Sequence, residues 1–190
     1  MQIKKVFRQE RKFLISGEQY YRFSRQFAEL FKEDSHNGKD GYMVRSLYFD
    51  TLGNKDFEEK LAGVECRRKM RLRIYSPQSR TALLEMKQKQ GSNQLKRSLT
   101  ISREHAEELM KGHYEVLLEY SDPFATECYG VLKTNCYIPK VIVEYKRMVY
   151  RKWGFCGYKF ILDHHVIFCF MAADAATSAG LSTLCCVAGL

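Results

Sequence analysis

Apolar and charged residues alternate with a period of two in several separate segments of this chain. In RRKMRLRIY, Arg67 to Tyr75, the residues Met70, Leu72 and Ile74 share one parity, and Arg67, Lys69, Arg71 and Arg73 share the other. Side chains two apart in a strand project to the same face, so the spacing predicts a strand with an apolar side and a file of cations. The pattern recurs. FRQERKFLI (Phe7 to Ile15) aligns Arg8, Glu10 and Lys12, and LLEMKQK (Leu83 to Lys89) aligns Glu85, Lys87 and Lys89. The next segment, KRSLTI, opens with Lys96 and Arg97. VIVEYKRMVY (Val141 to Tyr150) aligns Val143, Tyr145, Arg147 and Val149, and YKFILD (Tyr158 to Asp163) aligns Lys159, Ile161 and Asp163.

Helical periodicity fills the gaps. Ser16 and Gln19 form a capping box ahead of Tyr20, Phe23, Phe27, Leu30 and Phe31 at helical spacing. Glu33 to Gly41 reads as a loop, and strand character resumes from Tyr42 to Thr51. A short helix is predicted over Asn54 to Leu61, stopped by Gly63. Ser102 caps a helix ending near Gly112, and Asp122 with Pro123 opens another. Strands in series, helices between some of them and no regular βαβ repeat predict an α+β fold: an antiparallel β-barrel with helices packed outside.

Alternating Lys and Arg also mark the solvated face of an antiparallel sheet. Several strands with the same pattern, one of them offering cations alone, favour a shared interior that binds anions. Empty, such an interior repels itself, so it requires phosphate or interleaved carboxylates, for which Glu10 and Glu85 are the candidates. The net charge of +9 agrees without choosing among acidic partners, and 45% hydrophobic content excludes a disordered chain. The seven cysteines include no CxxC pair, which argues against a zinc site or a disulfide framework and for a reducing, cytoplasmic compartment. Adjacent His164 and His165 would face opposite ways in a strand and suggest no metal site. GxxxxGK[ST] and GxGxxG are absent, so phosphate would have to be held by side chains.

In order along the chain, RxExK at Arg8, Glu10 and Lys12, VRSLYFDT from Val44, KMRLRIY from Lys69, LLEMKQK from Leu83, the Lys96–Arg97 pair and PKVIVEYKRMVY from Pro139 resemble the VTC (vacuolar transporter chaperone) polyphosphate polymerase domain. That domain is one of the triphosphate tunnel metalloenzymes, or CYTH superfamily. The resemblance covers roughly residues 5 to 165. It implies an antiparallel β-tunnel that binds ATP with Mn²⁺ or Mg²⁺ and moves the terminal phosphoryl group onto polyphosphate. Carried over, it makes Arg71, Arg73, Lys87 and Arg147 catalytic. Arg8, Lys12, Lys69, Lys89, Lys96, Arg97, Tyr145 and Lys159 would bind phosphate, and Glu10 and Glu85 would hold the metal. Lys159 stands where the family has an arginine, which keeps the charge and loses the two-pronged grip. Arg8 replaces the first acid of the ExExK pattern, which favours polymerase over hydrolase.

After Asp163 the chain departs from the family, lacking LEVK-like and SKY-like segments, and divides into a tunnel domain over 1–165 and an apolar tail over 166–190. A membrane span, a truncated or frame-shifted gene product and a divergent core segment all fit that tail. Asp174 and the lack of a basic flank count against the membrane, and the truncated product is favoured. Two other functions stand beside the polymerase: a triphosphate hydrolase of the same superfamily, and a non-catalytic barrel binding polyanions or RNA. The cationic file of Arg67 to Arg73 carries no aromatic for base stacking, so nucleic acid is not the expected partner.

Overall fold

Neighbouring alternating segments pair as antiparallel hairpins in the computed structural model, which describes residues 6–7, 13–91, 93–151 and 159–170. The strands are β1 (Val6–Phe7), β2 (Lys32–Glu33), β3 (Tyr42–Thr51), β4 (Cys66–Ile74), β5 (Thr81–Gln90), β6 (Asn93–Ser102), β7 (Tyr137–Arg151) and β8 (Lys159–Phe170). The helices are α1 (Gly17–Leu30), α2 (Lys55–Leu61), α3 (Arg103–Met110) and α4 (Pro123–Thr134), with a 3-10 helix at Tyr114–Glu119. The strand order is β1-β6-β5-β4-β3-β7. Beyond it β8 pairs with the other edge of β7, and β2 extends the β3 side by pairing Lys32 with Arg151. The fold is α+β as expected, and the barrel takes the form of a curled half-barrel. No ladder joins β1 to β8 among the described residues.

Register puts like with like. Phe49 lies opposite Met70, Met70 opposite Met86, and Leu72 between Leu47 and Leu84. These side chains form one continuous apolar face, against which α3, the 3-10 helix and α4 pack Leu109, Leu117, Phe124 and Leu132. Full burial of each such side chain contributes about 1.5–3 kcal/mol. A second cluster lies at the β7–β8 corner, where Tyr20, Phe23, Phe27 and Phe31 meet Met148, Tyr150, Phe160 and Leu162. Leu30, expected on the same helical stripe, is instead exposed. Helices α1, α3 and α4 and the 3-10 helix thus lie on one side, while α2 sits against β3 and β4 near Lys69.

The helix starts follow their caps with one exception. Ser16 and Gln19 exchange both bonds of a capping box, Ser102 accepts from the His105 amide, and Asp122 accepts from the Phe124 amide. At α2 the residue in the cap position, Asn54, makes no side-chain cap. Asp50, at the end of β3, takes that role by accepting from the amides of Asp56 (2.9 Å) and Phe57 (3.0 Å). A bulge between Tyr48 and Phe49 shifts the pairing with β7, which turns Tyr137 onto the apolar face. There its hydroxyl donates to Asp56 Oδ1 at 2.6 Å.

Two sequence expectations change at the carboxyl end. Strand β8 continues to Phe170, paired with Val141, so a boundary at 165 falls inside a strand; residues 171–190 lie outside the described residues. His164 and His165 do not face opposite ways. A bulge opposite Glu144 and Lys146 gives His165 a φ of 50° and brings the two rings to 4.6 Å between centroids. No helix among the described residues is long and apolar enough to cross a membrane.

Gly41 turns the chain into β3 with a φ of 82°, and a Cβ there would sit 2.4 Å from the Arg147 carbonyl oxygen. Gly41→Ala is expected to lower stability by about 2 kcal/mol through strain and backbone clash, read as a lower urea midpoint at unchanged slope.

Candidate functional site

The residues of charged parity stack across the strands in rows. Arg67 lies opposite Lys89, and Lys69, Lys87 and Lys96 form the next row. Tyr48, Arg71, Glu85 and Ser98 follow, then Ser46, Arg73, Leu83 and Thr100. At the far end Tyr42, Arg147 and Asp163 share a row, with Tyr145 between that row and the arginines. The structure therefore brings Lys69, Arg71, Arg73, Glu85, Lys87, Lys89, Lys96, Tyr145 and Arg147 onto one face. Lys159 shares it by parity, exposed at its end opposite Arg151. Arg8, Glu10 and Lys12 lie outside the described residues.

Glu85 is the centre of this face and is 1% exposed. Its Oε2 accepts from Arg71 Nε at 2.6 Å and has Arg73 Nη1 at 3.7 Å, while its Oε1 pairs with the Lys96 ammonium. Burial pushes this carboxyl up, but Arg71, Arg73 and Lys96 together more than reverse the push and hold it below the usual glutamate range. Burial also opposes the charge of Arg71, yet Tyr48 and Glu85 outweigh it and hold the guanidinium above its ordinary value. Arg71 Nη1 donates to the Tyr48 hydroxyl at 2.8 Å, and Arg73 Nε to Ser46 Oγ at 3.3 Å. Tyr48 and Ser46 were not singled out from sequence. Their parity in YMVRSLYFDT, opposite to that of Leu47 and Phe49, is the signal that could have found them.

A second ion pair closes the far end. Arg147 donates from Nε and Nη2 to both oxygens of Asp163, each at 2.7 Å, and its guanidinium lies 5.0 Å from the Tyr145 ring centre. Burial works against this charge and Asp163 overcomes it, so the Arg147 guanidinium is held above its ordinary value. The lysine rows differ. Burial, followed by the nearby Lys60, pulls the Lys69 ammonium below its usual range. Cations outnumber the carboxylates Glu85, Asp50 and Asp163 on this face, and Asp50 is already engaged in capping α2. Such a face attracts phosphate oxygens, which supply the missing negative charge and accept from guanidinium forks two at a time.

Two predicted roles do not fit the geometry. Arg97 lies opposite Met86 on the apolar side, because a residue adjacent to Lys96 must face the other way. There it pairs with both carboxylate oxygens of Glu127 at 2.5 Å and stacks 4.7 Å from the Phe124 ring centre, tying β6 to α4. Glu85 is a poor metal ligand: both its oxygens already meet cations, and a divalent ion would be added to that positive charge. No group of three His, Cys, Asp or Glu able to hold a metal occurs among the described residues. The residues described here therefore do not build a site for Mn²⁺ or Mg²⁺.

Glu85→Gln leaves Arg71, Arg73 and Lys96 without their buried counter-charge and is expected to cost about 3 kcal/mol. Added tripolyphosphate should close most of the gap in melting temperature between the variant and the parent. Because Glu85 is held below its ordinary value, its contribution is present above an unfolded pKa of about 4.3 and is lost as pH falls through the lower folded value. Arg97→Gln should cost about 1 kcal/mol and leave tripolyphosphate affinity, measured by calorimetry, unchanged.

Among solved structures, a putative adenylate cyclase from Bacillus halodurans aligns with a TM-score of 0.47 at 14% identity, covering 86% of this chain and 79% of that one. A putative adenylyl cyclase from Hippeastrum, described as having a dominant triphosphatase activity, aligns with a TM-score of 0.47 at 17% identity, covering 90% and 73%. No curated protein matches. The family model of the VTC domain matches residues 7–184, which includes Phe7 of β1 and all of β2 through β8 and extends past the boundary expected at 165. The chain belongs to the VTC domain family.

Proposed function

We propose that the charged face is one wall of a triphosphate tunnel, and that the protein is a polyphosphate polymerase-type phosphotransferase using ATP and inorganic polyphosphate in the cytoplasm. One observation carries this reading: a single buried carboxylate, Glu85, shared by Arg71, Arg73 and Lys96 at the middle of a file of further cations. That cluster keeps surplus positive charge in a partly desolvated place, which suits an incoming polyanion better than bulk water.

In this reaction a terminal oxygen of polyphosphate attacks the γ-phosphorus of ATP, the bond from that phosphorus to the β–γ bridging oxygen breaks, and ADP leaves. The acceptor is already ionised at neutral pH, so no general base is needed. Arg71 and Arg73 stabilise charge on the transferred group, and Lys87 and Arg147 align donor and acceptor. Lys69, Lys89, Lys96 and Tyr145, with Arg8, Lys12 and Lys159, hold the remaining phosphates. Mn²⁺ or Mg²⁺, implied by the family resemblance, would have to arrive with the nucleotide, since the described residues build no site for it. Among the described residues Glu85 and Asp163 are both engaged by arginines, which leaves neither free to orient a hydrolytic water and favours a phosphate acceptor.

Purified protein given ATP and Mn²⁺ is expected to accumulate long-chain polyphosphate, resolved on a gel, with little free phosphate. Release of phosphate alone would make it a triphosphate hydrolase. Arg71→Glu should weaken ATP and tripolyphosphate binding by about a hundredfold or more, and unaltered binding would remove these arginines from the site.

A further inference from the structure

A cleft of about 580 Å³ opens at the end of the sheet where β4 begins and β5 ends, lined by Lys55, Asp56, Arg67, Arg68, Lys89 and Tyr137 among others. Its walls come from both faces. Arg67 and Lys89 are register partners in the last row of the charged face, whereas Arg68 and Gln88 are partners of apolar parity. The cationic file therefore turns over the end of the sheet and continues into the cleft, where α2 adds Lys55.

Asp56 is the unusual group in this cleft. It is 4% exposed, its Oδ1 is taken by the Tyr137 hydroxyl, and its Oδ2 is buried with no hydrogen-bond partner among the described residues. An unpaired buried carboxylate oxygen is costly unless it is protonated or meets a ligand. Burial pushes this carboxyl up to about 6. The Tyr137 hydrogen bond on β7 opposes that push, Asp50 of β3 and Glu59 of α2 add to it, and Arg68 of β4 opposes it; Lys69 of β4 also senses Asp56. Lys55, Arg67, Arg68 and Lys89 line the same cleft and outnumber its acids, Asp56 and Glu59, the latter 3.9 Å from the Lys55 ammonium. Protonated, Asp56 loses the negative charge that would oppose an anion drawn by the surrounding cations.

We propose that this cleft is a second phosphate-chain subsite, which holds the segment of polyphosphate that has passed beyond the charged face at its Arg67–Lys89 end. The inference rests on the polymerase-type reading of that face and adds to it a path for the chain. ATP and tripolyphosphate are too short to occupy both places, so only a long chain engages the cleft.

The test compares long-chain polyphosphate with tripolyphosphate by calorimetry on the full chain. Lys55→Glu, a change at an exposed side chain, and Arg68→Ala should each weaken long-chain binding by about tenfold and change tripolyphosphate binding by less than about twofold. Asp56→Asn keeps a donor at that position and removes the charge. Parent affinity for the long chain should fall as pH rises through about 6, where Asp56 ionises, and the variant should not show that fall. Unaltered long-chain affinity in both Lys55→Glu and Arg68→Ala, or equal losses for the two ligands, would overturn the inference. If Arg71→Glu abolishes tripolyphosphate binding in the same assay, the reading of the charged face survives that failure; if the parent binds neither ligand, the reading itself falls.

Discussion

Everything on the charged face depends on one buried carboxylate facing three cations. Glu85 on β5 lies between Arg71 on β4 and Lys96 on β6, with Arg73 at the edge of reach. Without it, two guanidiniums and an ammonium would repel one another at low exposure, a cost the apolar packing behind them would have to offset. The same contact fixes alignment. A one-residue slip of β4 against β5 would turn Arg71 toward Leu84 and Met86 and bring Leu72 among the lysines. The ion cluster and the apolar face therefore enforce the same register from opposite sides of the sheet.

Segregation of the two faces follows from where the helices lie. Packing of α3, α4 and the 3-10 helix buries Met70, Leu84, Met86 and Ile101, and α1 covers the β7–β8 corner with its aromatic stripe. Arg97 is one cation that crosses this division. Its pairing with Glu127 and stacking on Phe124 make it a strut between β6 and α4, so a positive residue on the apolar side is satisfied locally and adds nothing to the charged face. Asp50 has a comparable structural duty, since its carboxylate organises the first turn of α2 and so sets one wall of the end cleft.

Strand parity was the part of this molecule most legible in its residues. Arg67, Lys69, Arg71 and Arg73 do share a face, Glu85 does neutralise its neighbours, and the caps at Ser16, Ser102 and Asp122 do start helices. What escaped the reading escaped for physical reasons. Lys96 and Arg97 were grouped by charge, although adjacent strand residues must diverge. His164 and His165 were assigned to opposite faces because a bulge cannot be seen in a period of two. The helix over Asn54 to Leu61 is legible, but its capping by Asp50, which reaches the Asp56 and Phe57 amides from the end of β3, is a tertiary arrangement that local sequence does not encode. The ion pair of Arg147 with Asp163 needed the pairing of β7 with β8, two segments whose alignment only the fold supplies.

The two ends of the charged face are not equivalent, and the difference has a direction. Toward Tyr42, Arg147 is matched by Asp163 and bordered by Tyr145 and by Tyr42, whose ring packs on Tyr75, so positive charge there is compensated and partly covered by rings. Toward Arg67 the rows hold Lys69, Lys87, Lys89 and Lys96, where the carboxylates within reach are Glu85 at the border, Asp50, which caps α2, and Asp56 of α2. A polyanion lying along the strands thus meets a potential that deepens from the aromatic end to the lysine end. On the polymerase reading proposed above, this asymmetry would bias a chain of equivalent phosphates, which has no polarity of its own, toward the end where the sheet edge and α2 continue the cationic surface.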